Sequence, residues 1–360
     1  MPSPALSVDL PTALGLPPFR PRLPWLNGDL QTLRDTLRPV RLPADQGQPI
    51  QVEVGGGDQL LALLDQPLSG GEAQGLVLLM HGLAGSSQRG GLRRMGDTLQ
   101  RSGFAVLRLN MRGAGAGRSL ARGTYAANCN RDLLPVLRRA RELAAGKPLL
   151  GMGISLGGTK LFNALLASAE ERQAAGLDPA PPLLDGLVTI SSPLDLHACS
   201  LQIERPRNRV YERWLLKRLI AQTLADPFGV SAAEREALEG RAANGPLRSI
   251  RDFDAAITAP RWGHASVEAY YAQASPLAGL LDGERRYPLP PALVVHAEDD
   301  PWVPVASTRQ LAAAQLPGME VLLTAQGGHN GFHARCDGPG GLGGCWTDRL
   351  TARWFQRLLA

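Results

Sequence analysis

Gly151-Met152-Gly153-Ile154-Ser155-Leu156-Gly157-Gly158 places a serine between two apolar patterns. Pro148-Leu149-Leu150 ahead of it is a run of strand type, and behind it Phe162, Leu165, Leu166 and Ala169 recur at helical spacing. The stretch reads as a buried strand, a sharp turn carrying the serine, and a helix. Glycine at 153 and 157 fits that reading, because the serine must take a strained backbone conformation and a larger neighbour would collide with the strand or the helix. Small residues meet by chance in a chain with 41 glycines, so the flanking strand and helix carry the weight of the motif.

Outward from the turn, strands and helices alternate. Strands are predicted over 76–80, 104–109, 149–152, 187–190, 292–297 and 321–324, and helices over 92–99, 131–143 and, at the end, 347–359. Near-continuous apolar strands alternating with helices argue for an α/β fold, a mostly parallel sheet covered on both faces. A hairpin, 49–54 and 59–64 around Gly55-Gly56-Gly57-Asp58, opens the sheet. The proline-rich residues 1–47 read as an N-terminal arm lying on the domain. Between about 193 and 285 arginine-rich helical stretches such as 211–224 replace the strands, which reads as a helical cap inserted into a core of 48–192 and 286–360. There is no internal repeat.

Composition narrows the class. The 360 residues suffice for one large domain with an insertion, and no apolar run approaches the roughly 18 residues that cross a bilayer. The opening prolines and Asp9 do not form a secretory leader, so a cytoplasmic location is the expectation. Cys129, Cys199, Cys336 and Cys345 have neither metal-ligand nor disulfide-framework spacing, and they read as free thiols, with a stress-induced Cys336–Cys345 bridge as the alternative. The net charge of +5 comes from dispersed arginines, Lys147, Lys160 and Lys217 being the lysines. Dispersed charge marks a solvated surface, and no nucleic-acid partner is expected. Peripheral contact with lipid is compatible with the chain.

A serine hydroxyl needs a base to take its proton and a carboxylate to orient that base. His329, in Gln326-Gly327-Gly328-His329-Asn330-Gly331-Phe332 just after the last strand, is the favoured base; His333 is the main decoy, His296 reads as a core residue, and His197 and His264 fall in the cap. Glu298-Asp299-Asp300 ends the preceding strand, and Asp300, the last acid before Pro301, is preferred over Asp299. Acyl attack also needs backbone donors for the oxyanion: Leu156, after the serine, and Leu83, in His81-Gly82-Leu83-Ala84-Gly85-Ser86-Ser87, with His81 bracing that turn. Arg112-Gly113-Ala114-Gly115-Ala116-Gly117 lacks the lysine and spacing of a phosphate loop, and Arg112 reads as pairing with Asp132. No organic cofactor or metal is expected.

With these residues in place, the sequence resembles the YheT-type branch of the α/β-hydrolase superfamily, its family four, which holds carboxylesterase and lipase-like members. The resemblance rests on Pro24-Trp25-Leu26-Asn27, Leu30-Gln31-Thr32-Leu33, His81 to Ser87, Asn110-Met111-Arg112-Gly113, Gly153 to Gly158, Phe253-Asp254, Tyr270-Tyr271, Asp299-Asp300-Pro301 and Gly327 to Phe332. Asp29 stands where relatives often have histidine, and Tyr125-Ala126-Ala127 replaces a Tyr-His-Gly-like run. The resemblance implies an α/β-hydrolase fold with Ser155 as nucleophile, Asp300 as acid and His329 as base. It implies hydrolysis of a carboxylic ester through an acyl-enzyme, without organic or metal cofactor, and a short- or medium-chain acyl ester, a small molecule, is the expected substrate. Acyl transfer on the same residues, or a binding protein that kept the fold, are the alternatives.

Overall fold

The computed structural model describes residues 9–177, 182–243, 245–338 and 343–360. Its strands are β1 (Gln48–Glu53), β2 (Gln59–Asp65), β3 (Leu76–Met80), β4 (Ala105–Leu109), β5 (Leu149–Ile154), β6 (Gly186–Ile190), β7 (Ala292–Ala297) and β8 (Met319–Thr324). They form one sheet in the order β1-β2-β4-β3-β5-β6-β7-β8. β1 and β2 run antiparallel, as the glycine-split hairpin requires, and every pairing from β4 to β8 is parallel.

The reason for two covered faces is visible in β3, whose five residues are all buried. Successive side chains point to opposite faces. Leu76, Leu78 and Met80 join a core with Leu133, Leu137 and Phe162, while Val77 and Leu79 join Met95, Leu99, Leu350 and Trp354 on the other side. The helices that supply these partners are α2 (Gly90–Arg101), α3 (Asn130–Ala144), α4 (Leu156–Leu165) and α9 (Trp346–Leu359), with α8 (Ala306–Ala313) crossing from β7 to β8. Predicted and observed elements differ by a few residues at their ends, where apolar periodicity fades before the hydrogen bonding does.

Before β1, α1 (Gly28–Leu37) is started by Asn27, whose side chain accepts from the N–H of Leu30. The segment ahead of α1 is held across the chain, with Pro21 bridging Ala334 in antiparallel fashion. Residues 1–8 of the predicted arm lie outside the described residues. Between β6 and β7 come α5 (Leu196–Ile203), α6 (Arg209–Leu224), α7 (Val267–Ala274) and shorter helices. They build two small clusters of their own, one around Tyr270 and Tyr271 and one around Leu215, Leu219 and Phe253. These clusters close onto Ala126, Ala127 and Ala84 of the sheet's connecting turns, which seats the helical segment over the carboxyl ends of the strands.

Among the described residues no helix is long and apolar enough to cross a membrane, and no cluster of three or more histidine, cysteine or acidic side chains could hold a metal ion. All four cysteines are free thiols, Cys345 buried and Cys336 exposed.

Candidate active site

Ser155 sits between β5 and α4 at φ 52° and ψ −128°. For a residue with a side chain this left-handed conformation costs on the order of 1–3 kcal/mol, so the surroundings have to impose it. They do so through glycines. A Cβ on Gly157 would lie 2.6 Å from the carbonyl oxygen of Met80, and one on Gly153 or Gly158 would overlap the first turn of α4 or the side chain of Ser192. The turn therefore packs β3, β5 and α4 at backbone distance, and Ser155 is left pointing off the strand end.

His329 reaches it from the loop after β8. Its Nε2 lies 2.9 Å from Ser155 Oγ and its Nδ1 lies 2.8 Å from Asp300 Oδ2. Asp300 follows β7, and its other oxygen accepts from the N–H groups of Trp302 and Val303 at 2.8 and 3.0 Å. Burial pushes this carboxyl up, but His329, His296 and these donors outweigh it and hold Asp300 below the ordinary aspartate range. An ionised Asp300 fixes Nδ1 of His329 as the protonated nitrogen, which leaves Nε2 free to accept from the serine hydroxyl. The Trp302 ring stacks on His329 with centroids 4.5 Å apart.

The neighbouring candidates are placed apart from this relay. Asp299 accepts from the N–H of Gly328 at 2.8 Å and so braces the histidine loop. His333 faces Asp35 at 3.1 Å. His296 is buried in β7 against Thr308 and the carbonyl of Val303. Its Nε2 comes within 3.7 Å of Asp300, so this core histidine also backs the acid.

Leu156 is the first residue of α4, so its N–H has no acceptor in its own helix. Leu83 comes from the turn after β3, and both residues line the cavity that contains Ser155 and His329. That turn approaches closely enough that a Cβ on Gly82 would lie 2.9 Å from the Ser155 Cβ. Ala84, at φ 52°, donates its N–H to Tyr125 Oη at 2.8 Å, which fixes the turn from outside. His81 fixes it from within: Nδ1 donates to the Gly82 carbonyl at 2.8 Å and Nε2 accepts from Met111 N–H at 3.3 Å. Burial lowers its pKa to about 3, so it is a neutral brace. Arg112 pairs with Asp132 through two contacts of 2.7 and 2.8 Å.

The cavity measures about 680 Å³ and is lined by the sheet turns and by the helical segment, including Leu215, Leu219, Phe253, Tyr270 and Trp302. Its size suits a small molecule.

A family model described as alpha/beta hydrolase fold matches residues 75–335. The chain belongs to the alpha/beta hydrolase family. It is 28% identical over 275 residues to Phospholipase ABHD3 of Mus musculus, covering 76% of this chain and 60% of that protein. It thus spans less than two thirds of the length of that relative. To YheT of Escherichia coli (strain K12) it is 29% identical over 259 residues, covering 71% of this chain and 70% of that protein. Among solved structures, 2,6-dihydroxy-pseudo-oxynicotine hydrolase superposes with a TM-score of 0.54 at 14% identity, over 92% of this chain and 72% of that one, a likeness of fold.

Several groups in this alpha/beta hydrolase were not read from sequence. Thr32 Oγ1, on α1, accepts from the backbone N–H of His329 at 2.8 Å, though the two residues are 297 positions apart. The buried Gln31 accepts from His333 N–H at 2.8 Å and donates to the His333 and Trp25 carbonyls. A Cβ on Gly331 would lie 2.6 Å from the Gln31 carbonyl, so α1 clamps the histidine loop at backbone distance. The Leu30-Gln31-Thr32-Leu33 run was the available signal, but its partner was not legible. Asp29 is not a cavity residue: it takes hydrogen bonds from Tyr211 and Arg207 and ties the arm to the helical segment. Tyr211 itself packs on Trp302, with centroids 5.4 Å apart.

Proposed function

We propose that this chain is a serine hydrolase that cleaves carboxylic esters through an acyl-enzyme, with Ser155, His329 and Asp300 as its catalytic residues. The observation that carries the reading is the relay of 2.9 and 2.8 Å contacts from Ser155 through His329 to Asp300, opening into a cavity walled largely by apolar side chains. Ser155 Oγ attacks the acyl carbon as its proton passes to His329 Nε2, and the negative oxygen that forms is held by the N–H groups of Leu83 and Leu156. The C–O bond to the alcohol then breaks, and the alcohol leaves with the proton from His329. Water repeats the sequence on the acyl-enzyme, giving the carboxylic acid and free Ser155. Asp300 stays ionised throughout and stabilises the imidazolium.

Residues 193–285 act in this reading as a cap that sets acyl-chain length, because Leu215, Leu219, Phe253 and Tyr270 line the same cavity as the serine. The mouse relative is named as a phospholipase, which agrees with a hydrolase of acylated substrates. Four free thiols suit a reducing cytoplasm. The test is a fluorophosphonate label located by mass spectrometry, run beside a panel of p-nitrophenyl esters of graded chain length. Label on Ser155 and turnover abolished in Ser155→Ala are expected. Labelling at another serine, or turnover that survives the substitution, refutes the assignment. Product analysis with added alcohol separates hydrolysis from acyl transfer.

A further inference from the structure

The cavity around Ser155 holds two arginines for which ester hydrolysis alone has no use. Arg218, on α6, and Arg89, immediately before α2, both line it. An Nη2 of each is directed at one acceptor, the carbonyl oxygen of Ala84, at 3.1 Å from Arg218 and 3.5 Å from Arg89. Ala84 follows Leu83, so the two guanidinium groups hold the same turn that carries the Leu83 N–H, in the same cavity as Ser155.

Among the described residues neither guanidinium has a carboxylate oxygen within 4.0 Å. The two carboxylates that line the cavity are committed elsewhere, Asp35 to Arg94, Arg34 and His333, and Asp254 to the Tyr271 hydroxyl. Nε of Arg218 is buried without a hydrogen-bond partner, and the guanidinium lies 4.8 Å from the Trp214 ring centroid. Arg89 is exposed to solvent, and the part of it that the protein covers lowers its pKa. Two like charges sharing one neutral carbonyl repel each other, and bracing the Ala84 turn would need only one of them. Each guanidinium offers five donors and has spent one, and its planar fork matches the oxygens of phosphate and carboxylate groups.

We propose that Arg89 and Arg218 form an anion subsite in this cavity, and that the natural substrates are esters carrying a phosphate or carboxylate group. The proposal rests on ester hydrolysis at Ser155, and its test separates the two. Butyrate esters of glycerol and of glycerol 3-phosphate form a phosphate pair. Butyrate esters of 3-hydroxypropanamide and of 3-hydroxypropanoate form a carboxylate pair, and ethyl butyrate against monoethyl succinate puts the charge on the acyl side. At low ionic strength, kcat/KM for the charged member of at least one pair is expected to exceed that of its neutral partner by about tenfold or more, through KM, since a charge-assisted contact is roughly twice as strong as a neutral one. The pair that responds names the anion. The charged-to-neutral ratio should fall about tenfold in Arg89→Gln and in Arg218→Gln, and should shrink for the wild type in high salt. Taking ratios cancels any loosening of the Ala84 turn. The wild-type ratio and its salt dependence decide the matter even where a variant fails to fold. Equal turnover of charged and neutral partners, or a preference that survives both substitutions, overturns the subsite while leaving ester hydrolysis standing. If the wild type turns over none of these esters, hydrolysis is what fails, and calorimetry of glycerol 3-phosphate and succinate on Ser155→Ala then judges the subsite. Binding lost in the arginine variants supports it, and no binding overturns it.

Discussion

Lys160 lies wholly buried one turn into α4, with its ammonium lacking a hydrogen-bond partner and 4.3 Å from the centroid of the Tyr125 ring. Burial depresses its pKa from 10.5 to about 8 against the opposing pull of Cys129, Asp132 and Asp254. At about 1.4 kcal/mol per pH unit this depression corresponds to a penalty of about 3 kcal/mol for the folded state at neutral pH. Contact with the Tyr125 face returns up to about 2 kcal/mol of it. Replacing Lys160 by methionine, similar in length and apolar, should therefore raise stability at pH 7 by about 1–3 kcal/mol. The sign follows from linkage: the folded amine binds its proton less tightly than the unfolded one. The penalty is complete below pH 8 and disappears as pH rises from about 8 towards 10.5. Urea unfolding of wild type and Lys160→Met at pH 7 and near pH 10, each compared at the same pH, should show an advantage for the variant that shrinks at the higher pH. A variant that is less stable at pH 7, with a deficit that does not change with pH, would show that the ammonium contributes favourably and refute the reasoning.

Asp300→Asn should lower kcat by about 10⁴ with the fold intact by circular dichroism, because the wrong imidazole tautomer then faces Ser155. Asp299→Asn keeps an acceptor for the Gly328 N–H and should cost less than about tenfold; the reverse ranking would exchange their roles. Thr32→Val leaves the His329 N–H unpaired in a buried loop and should cut kcat roughly tenfold with KM little changed, whereas Thr32→Ser should restore it. Loss through KM alone, or no recovery with serine, would reduce Thr32 to a packing residue. Leu219→Trp should shorten the preferred acyl chain, since each buried CH₂ contributes about 0.8 kcal/mol while room remains. An unchanged optimum in the chain-length panel would place the acyl pocket elsewhere.

What the sequence determined by itself was whatever depends on neighbours in the chain. Apolar runs such as Leu76–Met80 have no polar face to show to water, so they dictate a covered parallel sheet. Gly153, Gly157 and Gly158 dictate a turn that only a strand and helix at backbone distance explain, and the order of Ser155, Asp300 and His329 follows from strand ends. Only the tertiary structure decided what depends on elements remote in sequence. It brought Thr32 and Gln31 from the arm onto the histidine loop, turned Asp29 and Tyr211 towards each other and away from the cavity, and set Arg89 and Arg218 on one carbonyl. Such pairings leave no periodic trace: a threonine hydroxyl or a guanidinium forms its contact with whatever group the packing of distant segments presents, and that packing is fixed by the whole core.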